Sequence, residues 1–353
     1  MSLLSFSWCM LVVVVVVVVV VGGFDDQTVL LQNAADKNVS MPVIGIGTGG
    51  YASNNTSPHG EYWNDSVAEI AISNWLKLGG RRIDTANSYN DQVGIGKAIR
   101  ESGIPREKIF ITSKVGPGQG SNRSIPSGAL GYNDTLTQMD YTLSSLNVTY
   151  VDLLLVHWPY DPTHPPTTDP LCRGNTSQEM KACRQSTWKA MQLLFQRNKT
   201  RAIGVSNFEI KHLQDILDMG EAIPSVNQCE FHPYFHEFDL VDFCKKHKIV
   251  FNGYAPLGTP DWAPWSHKWN SSIGDLPLVK SIAAAHQKSS AQVLLRYSLQ
   301  QDVVVNPRSW NNDHMKENLN VLDFKLTDEE MKMLNNIPRP KNSKVCPDPA
   351  KYP

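Results

Sequence analysis

Eight short apolar runs, each handing off at its C-terminal end to a polar or reactive residue, constrain this chain more than any other feature. In order they are Pro42–Ile46 (leading into Gly47 and Thr48), Arg82–Asp84, Ile109–Lys114, Val151–His157, Ala202–Asn207, Val226–Gln228, Ile249–Tyr254 and Val303–Arg308. Helix-like stretches separate them: Ser66–Leu78, Val93–Ile99, Thr135–Leu146, Thr187–Gln196, Ile210–Leu217, Leu240–His247, Leu278–His286 and Ala291–Leu299, with a last one opening at Thr327. In the first, Val67, Ile70, Ala71, Trp75 and Leu78 recur at helical spacing, Ser66 and Glu69 read as a capping box, and Gly79-Gly80 stop the helix. Strands alternating with helices predict an α/β fold, a single-domain (β/α)8 TIM barrel. Such barrels place their chemistry on the loops after each strand, so the strand-terminal residues are a draft of an active site.

At 353 residues the chain is long enough for one such barrel with insertions, here assigned to 24–353. The formal net charge of −1 and the lack of a basic cluster argue against a nucleic-acid partner. Two insertions follow strands and belong at the barrel mouth: Tyr51–Asp65 and Pro159–Gln185. Pro338–Pro353 reads as an irregular tail.

Residues 1–23 stand apart. Leu11 and the valines Val12 to Val21, ending at Gly22-Gly23, read as a secretory signal peptide, or as a membrane anchor if they are not removed. Sequons for N-glycosylation begin at Asn38, Asn54, Asn55, Asn64, Asn122, Asn133, Asn147, Asn175, Asn198 and Asn270. Ten exceeds the roughly three that chance would give, and none falls in a barrel strand, so a glycoprotein of the secretory pathway (lumenal or secreted) is expected. In that compartment Cys172 and Cys183, which share the Pro-rich insertion, are expected to form a disulfide. Pairing among Cys229, Cys244 and Cys346 cannot be read.

Gly45-Ile46-Gly47-Thr48-Gly49-Gly50 matches the G-x-G-x-x-G dinucleotide fingerprint. That motif needs a helix opening directly after the glycines, because the helix N-terminus holds the pyrophosphate. About fifteen mostly polar residues intervene here, so a glycine-rich turn at a barrel mouth is the better reading.

Asp84, Tyr89, Lys114 and His157 come from three successive strand–loop junctions. A phenol is a poor acid at neutral pH, but a neighbouring ammonium favours its ionised form. Asp84 would hold that ammonium, and His157 would orient a carbonyl oxygen. The set suits delivery of a proton to a carbonyl oxygen while hydride reaches its carbon. No clustered ligand set points to a metal, so a metal-dependent barrel hydrolase is disfavoured.

These residues lie in segments that resemble the aldo-keto reductases from about Met41 to Ile337. The matching stretches are Asp84-Thr85-Ala86 with Tyr89, Ile111–Lys114, Val151–Pro159, Ile203–Phe208, Asn227–Pro233 and Tyr254–Gly258. The resemblance implies NADP(H) bound without a Rossmann fold and a small-molecule aldehyde or ketone substrate. It implies Tyr89 as general acid, Asp84 and Lys114 as its tuning pair, and His157 as carbonyl orienter, with Tyr89, His157 and Trp158 lining the substrate site.

It also implies Ser206, Asn207 and Gln228 at the nicotinamide carboxamide beside Asp84, and Tyr254 stacked on the nicotinamide ring. Leu257 and Gly258 would cover the pyrophosphate. Arg308 and Ser309, with His314 in place of a common Arg, would meet the 2′-phosphate, and Glu317 and Asn318 the adenine. Arg can grip a phosphate bidentately, which favours NADPH over NADH. Gly49 stands where many members carry a pocket aromatic. The competing expectation is a non-enzymatic, secreted or lumenal NADP(H)-binding barrel.

Overall fold

The computed structural model describes residues 27–34, 38–49, 63–117, 128–160, 167–258, 272–341 and 343–353. The leader, most of the insertion after the first barrel strand, and the sequons at Asn54, Asn55, Asn122 and Asn270 lie outside these residues.

A small antiparallel hairpin, β1 (Thr28–Leu30) and β2 (Ser40–Pro42), precedes the barrel. Eight parallel strands follow, hydrogen-bonded in sequence order: β3 (Ile46–Gly47), β4 (Arg82–Asp84), β5 (Phe110–Val115), β6 (Val151–Val156), β7 (Thr200–Ser206), β8 (Val226–Glu230), β9 (Val250–Tyr254) and β10 (Val303–Val305). The sheet closes on itself. Ile44 bridges Val305 in parallel, Gly45 N–H donates to the Val305 carbonyl at 2.9 Å, and Val305 N–H donates to Val43 at 2.9 Å. The predicted (β/α)8 barrel is therefore the observed one.

The outer layer is α1 (Asp65–Lys77), α2 (Gln92–Glu101), α3 (Tyr132–Leu146), α4 (Ser177–Gln196), α5 (Ile210–Leu217), α6 (Phe238–Lys246), α7 (Pro277–His286), α8 (Ser290–Gln300), α9 (Asn312–Leu319) and α10 (Asp328–Asn335). Two sequence readings need correction. Asn64, not Ser66, caps α1: its side chain accepts from Val67 N–H at 3.0 Å. Helix α4 begins ten residues before the expected Thr187, where Thr176 and Glu179 form a reciprocal capping box inside the supposed insertion. The expected disulfide joins Cys172 to Cys183 across that helix start.

The barrel interior is not purely apolar. Arg82, fully buried in β4, donates to Pro42 O (2.8 Å), Asn252 Oδ1 (3.1 Å) and Val305 O (3.1 Å), tying the closure seam to β9. Burial lowers its pKa to about 10, against the opposing pull of Asp84, so it stays charged at neutral pH. Side chains two apart on a strand share a face. Asp84 therefore sits one layer above Arg82, nearer the mouth.

This interior explains the false fingerprint. A Cβ on Gly45 would run into the Arg82 guanidinium, and one on Gly47 would lie 2.8 Å from the Asn306 carbonyl oxygen. A Cβ on Gly49 would lie 2.8–2.9 Å from the Tyr89 ring. The three glycines are small because neighbours occupy the space; Gly45 precedes strand β3 and Gly47 ends it, so neither stands at a helix start. Overpacking of a filled core costs about 1–3 kcal/mol. Gly45→Ala is expected to lower unfolding free energy by that amount in urea titration; an unchanged midpoint and slope would contradict this account of the seam.

Candidate active site

The register places the reactive side chains on one inward rim. Asp84, the last residue of β4, pairs with Thr112 of β5, and Lys114 lies two residues further along on the same face as Thr112. Lys114 Nζ donates to Asp84 Oδ1 at 2.5 Å and to the Thr85 carbonyl at 3.1 Å. Both charges are buried, with 1% and 3% of their side-chain surfaces exposed, so each depends on the other to offset desolvation. Gln228, at the corresponding level of β8, donates its amide to Asp84 Oδ2 at 2.6 Å. The carboxylate is thus held from two sides.

Tyr89 ends a 3-10 turn, Asn87–Tyr89, that follows β4, and Asn90 in the left-handed region then turns the chain into α2. Its half-buried ring lies against Gly49 and brings the hydroxyl 3.5 Å from Lys114 Nζ and 3.4 Å from His157 Nε2. The Tyr89 and His157 rings meet edge-on with centroids 5.6 Å apart. The four expected residues therefore converge on one point.

Their electrostatics are consistent with proton donation. Burial raises the Tyr89 pKa, with Lys114 opposing and Asp84 and Asp91 adding to the rise, so the phenol keeps its proton until a reaction draws it. The ammonium acts in the expected direction, but burial outweighs it. Burial works to lower the Lys114 pKa but is outweighed by Asp84 and Tyr89, and the amine stays protonated. Burial and then Lys114 hold the His157 pKa well below its usual value, so the imidazole is neutral. A neutral imidazole can donate one hydrogen bond without competing as an acid. Tyr254 has its pKa raised well above the usual value by burial and by neighbouring Cys346 and Glu230. With no cation among those causes, it is the poorer donor of the two tyrosines.

Next to this set, the ends of β7, β8 and β9 carry a linked polar group. Asn207 Nδ2 donates to the His157 carbonyl (2.9 Å) and to Ser206 Oγ (3.1 Å), while the Ser206 hydroxyl donates to the Gln228 carbonyl (2.8 Å). The Tyr254 hydroxyl donates to Asn207 Oδ1 at 2.8 Å. Carboxamides, a hydroxyl and an aromatic face are what a nicotinamide ring and its amide need. His157 Nδ1 is buried without a hydrogen-bond partner, a polar atom that the protein's own groups leave unsatisfied. These residues fit a nicotinamide.

Further around the mouth, Arg308 donates to the Gly49 carbonyl at 3.0 Å. Burial lowers its pKa to about 10, with Tyr89 opposing, which leaves it cationic at neutral pH. Ser309 is half-buried in a turn with Asn311, whose side chain caps α9. His314 is exposed in the first turn of that helix, with Glu317 half-buried and Asn318 buried behind it. Leu257 and the left-handed Gly258 close the turn after β9, and Trp158 is buried beside His157. A cation, a hydroxyl and a helix start suit a phosphate. Among the described residues no group of three His, Cys, Asp or Glu is arranged to hold a metal ion.

Sequence reading missed two parts of this rim. Buried Glu230 accepts the amides of Val345 (2.6 Å) and Cys346 (2.9 Å) and pairs with His232 at 2.9 Å. The tail is therefore strapped over the mouth, and Arg184 holds the Pro353 carbonyl at 3.0 Å. Glu230 follows Gln228 on the same strand, and that spacing was the available signal. The second missed residue is Asp91, between Tyr89 and α2.

Known proteins agree with the geometry. The family model described as Aldo/keto reductase family matches residues 43–339. The chain is 34% identical over 314 residues to 9,11-endoperoxide prostaglandin H2 reductase of Trypanosoma cruzi, covering 88% of this chain and 93% of that protein. It is 34% identical to glyoxal reductase of Bacillus subtilis, with coverage of 91% and 96%. An aldo/keto reductase crystal structure from Brucella melitensis superposes with a TM-score of 0.69 at 31% identity, covering 87% of this chain and 96% of that one. The chain belongs to the aldo/keto reductase family, and is an oxidoreductase acting on carbonyl groups with a nicotinamide cofactor.

Proposed function

We propose that this protein reduces aldehydes or ketones to alcohols with NADPH, and that Tyr89 is the proton donor. The observation that carries the reading is the Tyr89 hydroxyl poised between Lys114 Nζ and His157 Nε2, above a buried Lys114–Asp84 pair. When bound, the reduced nicotinamide supplies the hydride. Ser206, Asn207 and Gln228 hold its carboxamide and Tyr254 its ring face. Arg308, Ser309 and His314 meet the 2′-phosphate, Leu257 and Gly258 cover the pyrophosphate, and Glu317 and Asn318 meet the adenine.

The neutral His157 donates a hydrogen bond to the substrate carbonyl oxygen and turns it toward Tyr89, with Trp158 walling the pocket. As negative charge builds on that oxygen, Tyr89 passes it a proton. The phenolate left behind is stabilised by Lys114, which Asp84 and Gln228 keep in place. The reading of a non-enzymatic binding barrel is not favoured, because a pure binding site has no need of all four of these groups in contact. Nicotinamide absorbance in aldehyde reduction tests the proposal. Wild type is expected to turn over faster with NADPH than with NADH, and Tyr89→Phe to lose about 10²–10⁴-fold in kcat while still binding NADPH. Undiminished turnover in the variant would remove Tyr89 from its role, and equal use of both cofactors would remove the phosphate contact.

We further propose that the chain enters the secretory pathway, lumenal, secreted or anchored by residues 1–23. The valine run, the ten sequons and the Cys172–Cys183 disulfide support this. All six sequon asparagines among the described residues, Asn38, Asn64, Asn133, Asn147, Asn175 and Asn198, are exposed. Asn175 sits within the disulfide loop. Expression of the full chain in a secretory host is expected to yield glycopeptides containing Asn175, lost in Ser177→Ala and kept in Ser177→Thr. Carbohydrate-free protein would refute the location.

A further inference from the structure

Behind the tetrad lies a buried carboxyl group that the reaction as described does not use. Asp91 is fully buried, two residues past Tyr89 and immediately before α2. It occupies the position that usually caps a helix, yet its side chain makes no capping bond. Instead it turns back under the site. Thr85, next to Asp84, donates its hydroxyl to Asp91 Oδ1 at 2.7 Å. The carbonyl of that same Thr85 accepts from Lys114 Nζ. Asp91 thus fixes the residue that supplies the second oxygen ligand of the ammonium.

The other carboxyl oxygen, Oδ2, is buried beside the equally buried Thr48 hydroxyl, just past the end of β3, and Thr85 makes no bond to it. Ionised, Oδ2 would accept from the Thr48 hydroxyl; protonated, it would donate to it, so the site holds either state. Burial raises the Asp91 pKa to about 7; the hydroxyls of Thr48 and Thr85 and the Lys114 ammonium oppose the rise, and Asp65 of α1 adds to it. The carboxylate of Asp65 is itself engaged, accepting Gly94 N–H at 2.8 Å. The charged or titratable groups felt by Asp91 are therefore Asp65, Lys114 and Tyr89, and the charge on Asp91 in turn makes Tyr89 harder to ionise.

We propose that Asp91 is a positioning residue whose protonation, between Thr48 and Thr85, sets how readily Tyr89 gives up its proton. Protonated, it leaves Lys114 with Asp84 as its one buried counter-charge, and the ammonium acts fully on the phenol. Ionised, it adds a second negative charge behind the phenol and opposes proton release. Reduction is then faster below neutral pH and slows as pH rises through about 7. The same sign holds for folding. A carboxyl whose folded pKa lies above its unfolded value contributes stability at low pH, and that contribution fades as pH rises through the folded pKa.

Asp91→Asn is the direct test, because an amide mimics the protonated acid: its oxygen accepts from Thr85 and its nitrogen donates to Thr48. The kinetic part rests on the reductase reading, so a readout independent of turnover accompanies it. In protein labelled with ¹³Cζ-tyrosine, the Tyr89 resonance is identified by its loss in Tyr89→Phe. It is expected to titrate at a pH lower by roughly half a unit or more in Asp91→Asn than in wild type, the relief expected when a nearby like charge is removed.

In aldehyde reduction with NADPH, the two proteins are expected to match near pH 6, and the variant to exceed wild type by about threefold at pH 8, a modest pKa-scale effect. An unmoved tyrosine midpoint with superimposable pH profiles overturns the proposal and leaves the reductase reading standing. A moved midpoint with no turnover in either protein upholds the coupling and sinks the reductase reading. If Asp91→Asn does not fold, Thr85→Val serves. Losing the Thr85 donor destabilises the Asp91 carboxylate, so the wild-type break near pH 7 is expected to move upward; a break that stays in place overturns the proposal.

Discussion

A lysine and an aspartate, both out of water at the top of a barrel, form the contact on which the rest of this site depends. Lys114 and Asp84 meet at 2.5 Å with almost no exposed surface. Breaking a buried pair by removing one partner typically costs about 3–5 kcal/mol, because the other charge is stranded. The barrel supplies what makes the pair tolerable. Gln228 takes the second carboxylate oxygen and the Thr85 carbonyl takes a second ammonium hydrogen. Below them Arg82 adds another buried cation, bonded to the closure seam and to Asn252. The interior thus carries cation, anion, cation from the seam to the mouth. The second cation faces the point where a carbonyl oxygen would become negative.

That column also dictates where the chain must be small. Arg82 fills the space beside Gly45, and the Tyr89 ring fills the space beside Gly49. A Cβ at position 49 would lie within 2.9 Å of the Tyr89 ring as it is packed here, so the ring's present position and the small residue beside it go together. Strand register does the remaining work: Asp84, Lys114 and Gln228 come from β4, β5 and β8, yet the alternation of side chains points all three inward at neighbouring levels.

Much of this was legible in the sequence because barrel strands are buried on both faces and read as apolar runs. Their order, their terminal polar residues, and the grouping of Asp84, Tyr89, Lys114 and His157 all follow from that pattern. The same logic failed where local pattern is weak. The β1–β2 hairpin is three residues a side, too short to show alternation. Helix α4 starts in Ser177-Gln178-Glu179, polar residues that look like loop until the Thr176–Glu179 capping box is noticed. Helix α9 is eight mostly polar residues.

Asp91 and Glu230 were missed for a different reason. A buried carboxyl looks like any surface acid until its partners, Thr48 and Thr85 in one case and the Val345 and Cys346 amides in the other, are placed around it. Those partners lie up to 116 residues away in the chain.

If the buried ammonium acts on the phenol during hydride transfer, removing it must slow that step. Single-turnover reduction of an aldehyde by NADPH-loaded Lys114→Met protein, followed by loss of nicotinamide absorbance, measures that step without product release. A fall of about 10²-fold or more in the hydride-transfer rate, with NADPH affinity little changed, is the result expected of a group that acts in proton transfer. A rate within a few-fold of wild type would contradict it.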